Sequence, residues 1–310
     1  VNILVLSGGS SSERAISLLT ADSISATLEK LGHTVTVIDI HKNLVPTLLE
    51  AKARGIDFVW IALHGGIGEN GMLQALLDLL DLPYQGSGHL SSTLAMHKGI
   101  AKQIFIANQI QTPSWLGARK GKAALEWGNV SGQLGTPVVI KPVDGGSTLG
   151  ITIASTQEEY DQGVNLAFEF SSEILLESYI SGKELTISVF DDVILPAIEI
   201  VPLGSSFYDY ESKYTMGGSK HLIPCSLSSD GLIKAETMAR KAYEALHCRG
   251  LARVDLRIDA QEIPWVLEVN TLPGMTATSL CPDSAAAFGW TLEELVDQIL
   301  KSSIKVLVKN

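Results

Sequence analysis

Asp255, Glu268 and Asn270 have the residue types and spacing that speak most directly of chemistry in this chain. They lie in the runs RVDLRI (253–258) and WVLEVN (265–270), on either side of a short polar stretch. With Asp259 and Pro264 as the ends of an antiparallel hairpin, Asp255 falls opposite Glu268 and Arg253 opposite Asn270. Strand alternation puts these four on one face, and Val254, Leu256, Ile258, Trp265, Leu267 and Val269 on the other. Two opposed carboxylates repel unless something positive lies between them. An all-oxygen set of Asp, Glu and Asn suits hard Mg2+, which keeps waters and phosphate oxygens among its ligands. Softer metals would ask for Cys or His. A solvated polar face on an ordinary hairpin is the alternative reading of this segment alone.

A second constellation begins at Lys141, which ends a short apolar strand and is followed by PVDGGSTLG (142–150). Such a loop can bring backbone N–H groups and hydroxyls to a phosphate while the lysine supplies charge. The order G-x-x-x-x-G-K-[ST] is missing, so this is not a P-loop. A surface lysine on a hairpin turn is the bland alternative. Together, the carboxylates and the lysine loop answer different parts of one ATP–Mg2+ site. Between them lies ESYISGKE (177–184), where two units join and an adenine could lie, with Glu184 accepting from ribose hydroxyls. A solvated linker explains that stretch equally well.

Near the start, GGSSSER (8–14) leads into a helix N-terminus, a natural place for an anion, yet it lacks the dinucleotide fingerprint. Glu13 is better suited to an ammonium, or to serve simply as a favourable first-turn helix residue. HGGIGENG (64–71) follows another strand, where parallel sheets keep their ligands. FYDYESKY (207–214) is aromatic and charged, and could close over a site to exclude water or lie on the surface.

These residues need elements to hold them. Strand 3–7, helix 13–31, strand 33–40, a helix reaching Arg54 and strand 58–63 predict a parallel sheet with helices on both faces. Helix 72–80 and a turn at 83–86 complete a first domain ending near residue 94. Helix 98–108, strands 138–141 and 151–154, helix 158–170 and strand 173–177 predict a small α+β module. Strands 184–189 and 194–201, a polar loop over 204–221, helix 232–246, the hairpin and helix 291–302 form the remainder.

The 310 residues are enough for a sizeable core and two or three small domains. A formal net charge of -11 without a basic block argues against nucleic acid as a partner. Cys225, Cys248 and Cys281 show neither ligand spacing nor a disulfide framework, which points to a reducing cytosol. The chain opens directly into a strand, with no basic and apolar leader, so no secretory signal is expected. No apolar run reaches the roughly 18 residues of a membrane span.

Taken in order, GGSSSER, HGGIGENG, LPYQGSG, Lys98, IKPVDGGS, FYDYESKY, RVDLR and LEVNTLPGMTATSL resemble the D-alanine:D-alanine ligases of the ATP-grasp superfamily, along essentially the whole chain. The resemblance implies an α/β ATP-grasp fold. An amino-terminal parallel-sheet domain (1–94) would bind substrate, and two α+β domains, central (95–180) and carboxy-terminal (181–310), would clasp ATP. Lys98 and Lys141 would contact the ATP phosphates, with Lys213 reaching the transferred one. Glu177 and Glu184 would border adenine and ribose, with backbone near Ser178 and Ile180 meeting the base. Asp255, Glu268 and Asn270 would bind two Mg2+ ions, Glu268 shared, with Mn2+ as a substitute. Glu13 would hold the ammonium of the first D-alanine, supported through Ser147 and Tyr214, with His64 nearby. Arg253 and the backbone near Gly274 would stabilise the tetrahedral intermediate. Ser279 and Leu280 would receive the second D-alanine's carboxylate, with Tyr208 closing that side.

The implied reaction forms a D-alanyl phosphate and then D-alanyl-D-alanine for peptidoglycan, in a cytoplasmic homodimer. The family usually has Asp where this chain has His97, Lys where it has Ser178, and acidic residues where it has TMGGSK after Tyr214. These departures leave room for altered nucleotide affinity or another second substrate. The rival readings are an ATP-grasp ligase joining a different amino or hydroxy acid pair, and a non-catalytic nucleotide-binding relative. A dehydrogenase fits only the opening sheet and leaves the carboxylates unexplained.

Overall fold

The computed structural model describes residues 1–40, 43–122, 125–146, 148–203, 219–276 and 278–307. Three sheets organise them. The first is parallel, in the order β2-β1-β3, with β1 Asn2–Gly8, β2 Thr34–Ile40 and β3 Phe58–Ile61. β1 is buried on both faces, as its unbroken apolar run requires. Ile3 and Val5 pack towards α1 (Arg14–Lys30), whereas Leu4 and Leu6 pack towards α2 (Leu44–Ala53) and α3 (Met72–Leu79). The expected parallel sheet with helices on both faces is present.

α4 (His89–Met96) and α5 (Lys98–Ala107) lead to the second sheet, β4-β7-β5-β6, formed by β4 Trp115–Arg119, β5 Val138–Pro142, β6 Thr152–Ala154 and β7 Glu173–Ser178. α6 (Trp127–Leu134) and α7 (Gln157–Phe170) cover it, burying Val130, Tyr160 and Ala167 against Ile140 and Leu176. The third sheet runs β11-β10-β8-β12-β13, with β9 (Val193–Ile194) also on β8. Its other strands are β8 Lys183–Phe190, β10 Ile198–Pro202, β11 Ser219–Leu222, β12 Leu251–Ile258 and β13 Pro264–Asn270. α8 (Ser229–Ala245) and the apolar side of α5 cover one face of it. α9 (Leu280–Phe288) precedes α10 (Leu292–Leu307), which turns back onto α1, so Leu295, Val296 and Ile299 share a core with Ile24, Leu28 and Trp60.

Several expectations need correction. The strand expected over 194–201 is two strands, interrupted at Pro196, which has no N–H for the ladder. The sequence reading lacks α4, β4, α6, β11 and α9. Within the hairpin, Arg253–Asn270 and Asp255–Glu268 pair as expected, but the register slips between Asp255 and Leu256. Leu256 therefore faces Val266, Leu267 becomes the extra residue of a bulge, and the buried positions of β13 are Pro264, Val266 and Val269. Trp265 and Leu267 do not line the core face as alternation suggests. Most of the expected polar loop, 204–218, lies outside the described residues, while 219–221 open β11. Among the described residues, no helix is long and apolar enough to cross a membrane.

Candidate active site

β12 and β13 form the floor of the site. Asp255 accepts from Arg253 Nε at 2.8 Å and Nη2 at 2.8 Å, and from Thr186 Oγ1 at 2.6 Å. Burial works against the Arg253 charge, but this two-pronged contact with Asp255 raises its pKa and keeps it firmly protonated. Glu268, opposite, lies 3.2 Å from Lys98 Nζ, which also donates to Gly145 O at 2.7 Å. The cations that relieve the repulsion between the opposed carboxylates thus come from the chain itself. Asn270 Oδ1 accepts from Leu272 N at 2.9 Å and keeps its second lone pair.

Asp255, Glu268 and Asn270 fit Mg2+ by donor chemistry, being oxygen-only and carrying two carboxylates. Among the described residues there is no group of three or more His, Cys, Asp and Glu placed to hold a metal, so the amide would have to be the third ligand.

Two clefts meet on this floor. One, of about 200 Å3, is lined by Glu13, His64, Arg253, Glu268, Gly274 and Ser279, among others. The second is smaller and lined by Lys98, Lys141, the loop residues Asp144–Gly146 and Thr148, and Glu268. Glu268, Gly145 and Gly146 belong to both.

The first cleft takes its acidic wall from the loops after β1 and β3. Glu13, just before α1, is buried at 8% exposure. Ser11 Oγ donates to His64 O at 2.5 Å and accepts from Glu13 N at 3.2 Å, tying the two loops together. His64 meets Thr20 Oγ1 through Nε2 at 2.9 Å and stands 3.5 Å from Glu69 Oε1, which accepts from Gly65 N. Gly65 sits at φ +66, and a Cβ there would lie 2.7 Å from Glu13 Oε2, so the turn needs glycine on both counts. The opposite wall is the N-terminal end of α9. Ser279 Oγ accepts from Thr276 N at 3.0 Å, and Leu280 packs on Ile198 and Ile200.

Behind the second cleft lies a group that the sequence reading only half identified. Lys141 Nζ meets Glu177 Oε2 at 2.9 Å, and Lys102 Nζ meets Glu177 Oε1 at 3.2 Å. All three side chains are buried. Burial pushes the Glu177 carboxyl up, yet Lys141 and Lys102 outweigh it and hold it below the usual carboxylate range. Burial pulls Lys102 down to about 8, offset in part by Glu177. The Glu177 carboxylate is thus spent inside the protein, supporting Lys141 rather than facing the clefts. At the proposed adenine border, Ser178 N donates to Ser114 O at 2.9 Å, and Ile180 O accepts from Arg257 Nε at 3.1 Å. Arg257 also reaches Glu184 at 3.3 Å and Gly182 O at 2.8 Å.

The structure therefore gathers Glu13, His64, Arg253, Glu268, Asn270, Gly274, Ser279 and Leu280 around one cleft, and Lys98 and Lys141 around its neighbour. Asp255 backs Arg253, and neither cleft includes Glu177, Ser178, Ile180 or Glu184. Ser147, Tyr208, Lys213 and Tyr214 lie outside the described residues. Sequence reasoning missed Lys102, Thr186, Arg257, Glu69 and Thr20. Strand parity was a usable signal for Thr186 and Arg257, since both lie in strands already identified. The i, i+4 spacing of Lys98 and Lys102 on one helix was another.

Known proteins resemble this chain along nearly its whole length. The family model for the D-ala D-ala ligase C-terminus matches residues 104–301, and that for the N-terminus matches 41–87. A D-alanine–D-alanine ligase of Synechococcus sp. (strain JA-2-3B'a(2-13)) is 54% identical over 98% of this chain and 94% of its own length. That of Gloeobacter violaceus is 49% identical over 98% of this chain and all of its own. The crystal structure of the Bacillus anthracis D-alanine–D-alanine ligase complexed with ATP superposes with a TM-score of 0.86, at 36% identity and 99% coverage of both chains. The VanG D-Ala:D-Ser ligase of Enterococcus faecalis superposes at 0.84, with 26% identity, covering 97% of this chain and 99% of that one.

Proposed function

The chain belongs to the D-alanine–D-alanine ligase family of the ATP-grasp superfamily, and we propose that it joins two D-alanines in the paired clefts that share Glu268. The reaction is ATP-dependent ligation, and the family uses ATP with Mg2+. The observation that carries the assignment to this site is the shared wall. A cationic, glycine-lined cleft opens at Glu268 into one with an acidic wall, an arginine and a helix N-terminus. That is the juxtaposition needed to bring a carboxylate and a triphosphate together despite their repulsion.

In this reading Glu13 holds the ammonium of the first D-alanine, with His64 beside it, and so aims its carboxylate at the phosphate cleft. Lys98 and Lys141 take the ATP phosphates. The substrate carboxylate attacks the terminal phosphorus, the bond to ADP breaks, and an acyl phosphate forms. The neutral amine of the second D-alanine attacks the acyl carbon and expels phosphate. Arg253 and the backbone near Gly274 meet the anionic oxygen of that tetrahedral intermediate. Ser279, Leu280 and the end of α9 receive the second carboxylate. Asp255, Glu268 and Asn270 would hold Mg2+, two ions with Glu268 shared, and Mn2+ would substitute; bound there, the metal neutralises phosphate charge. Glu184, Ser178 and Ile180 border the nucleotide, and Ser147, Tyr208, Lys213 and Tyr214 complete the closed site. The three-domain division at 1–94, 95–180 and 181–310 assigns one sheet to each unit. A cytoplasmic homodimer completes the reading.

The test is phosphate release from ATP across D- and L-amino acids, D-serine and D-lactate, with product masses recorded. D-alanine dependence and a dipeptide mass are expected. Release without D-alanine dependence, or without dipeptide, overturns the assignment. Within that assay, Arg253→Lys is expected to lower kcat while leaving the KM for ATP nearly unchanged, because its contact strengthens only as the intermediate forms. A raised KM for ATP with kcat unchanged would place Arg253 in ground-state binding instead.

A further inference from the structure

Among the described residues, Lys102 is one of the largest side chains with no exposed surface, and it lines neither cleft. Its ammonium donates to Thr112 Oγ1 at 2.7 Å and Pro113 O at 3.1 Å, and stands 3.2 Å from Glu177 Oε1 in an ion pair. Glu177 gives its other oxygen to Lys141 at 2.9 Å. One carboxylate thus lies between two ammoniums, each on its own oxygen, and a positive charge is left over. Lys141 is the member that lines the phosphate cleft. An isolated Lys141–Glu177 pair would be neutral and would hold the lysine against its partner.

We propose that Lys102 is a positioning residue that takes up the charge of Glu177, so that Lys141 keeps a net positive charge for the nucleotide phosphates. This rests on the assignment of Lys141 to phosphate. The charged groups facing Lys102 among the described residues are Glu177 on β7 and Lys141 on β5. The 111–113 segment contributes only the Thr112 hydroxyl and the Pro113 carbonyl. Lys98, one turn earlier on α5, faces Glu268 and Gly145 instead. An anion arriving at Lys141 favours the protonated form of Lys102, whose pKa without ligand is drawn down to about 8.

Binding of MgADP, measured by isothermal titration calorimetry, tests the charge argument through compensation. Lys102→Met makes the triad neutral and is expected to weaken MgADP binding by about tenfold or more. Lys102→Met combined with Glu177→Gln restores one positive charge and is expected to recover most of that loss. A packing role predicts the reverse, since the second substitution would add damage. Wild-type affinity in Lys102→Met, or a double variant weaker than the single one, overturns the proposal. If Lys102→Met does not fold, Lys102→Gln, which keeps a donor for Thr112 and Pro113 without the charge, is measured in its place, and wild-type affinity in that variant overturns the proposal. Failure of the wild-type protein to bind MgADP at all sinks the nucleotide assignment instead.

Discussion

Thr186 shows what a single hydroxyl does here. Its Oγ1 donates to Asp255 Oδ1 at 2.6 Å, on the carboxylate that Arg253 already grips. The hydroxyl and the guanidinium fix the direction in which Asp255 presents its oxygens, and such support commonly matters for a metal ligand. Thr186→Val keeps the shape and removes the donor. The expected outcome is an Mg2+ requirement raised by about tenfold at saturating ATP and D-alanine, with the KM for D-alanine little changed. An unchanged Mg2+ titration would remove Asp255 from the metal site. Lys102 makes a second prediction, in stability. Its folded pKa lies near 8 against an ordinary value of 10.5. Between those values the unfolded chain binds the proton and the folded chain has shed it, so this residue makes stability rise with pH across that window. Denaturant midpoints taken from pH 8 to 10.5 should rise more steeply in the wild-type protein than in Lys102→Met. Parallel profiles would mean that Lys102 keeps its proton throughout. The pairing of Asp255 with Glu268 was legible only in outcome: the hairpin closes at Ile258 and Pro264, one residue from the expected Asp259 and Pro264, and the bulge at Leu267 restores the expected register. The spacing of Lys98 and Lys102 was legible, but the burial of Lys102 was not, because its counter-ion Glu177 comes from a strand far along the chain.

At the scale of elements, the parallel core of the first sheet was legible because β1 is apolar without interruption and glycines punctuate its connections. Elements that tertiary contacts hold were not. α4 is HLSSTLAM, in which serines and threonine are weak helix formers, yet its Ser91, Ser92 and Ala95 are buried. β4 carries Gly117 in its middle, and α9 has Pro282 in its first turn, so neither has a strong local signature. The bulge of β13 has the same kind of cause. Val266 donates its N–H to Gln111 O at 2.8 Å and accepts from Thr112 Oγ1 at 2.8 Å, on the edge away from β12. No local pattern announces that brace. Thr112→Val would free both Val266 O and the Lys102 ammonium from this hydroxyl. Stability is expected to fall by about 1–3 kcal/mol, read from denaturant midpoints at constant slope. An unchanged midpoint would show that the β13 edge needs no such support.

For the whole molecule, the question is how the first sheet is held to the rest. α10 follows the hairpin by more than twenty residues, yet it buries Leu295, Val296 and Ile299 against α1 and β3. The helix that begins just after Glu13 is therefore packed on one side by the end of the chain. Glu13 and His64 line the larger cleft, whereas the smaller one draws its walls from α5, β5 with the loop after it, and β13, with nothing from the first sheet. A cavity at Leu295 should act unequally on the two. Leu295→Ala removes a fully buried side chain and is expected to cost about 2–5 kcal/mol of stability. The loosened α1 moves the acidic wall, so the KM for D-alanine should rise several-fold, while MgADP affinity, measured by calorimetry below the unfolding transition, stays near the wild-type value. Equal losses in both would mean that the clefts deform as one body. In that case the two clefts could not be tuned independently by packing at the far end of the chain.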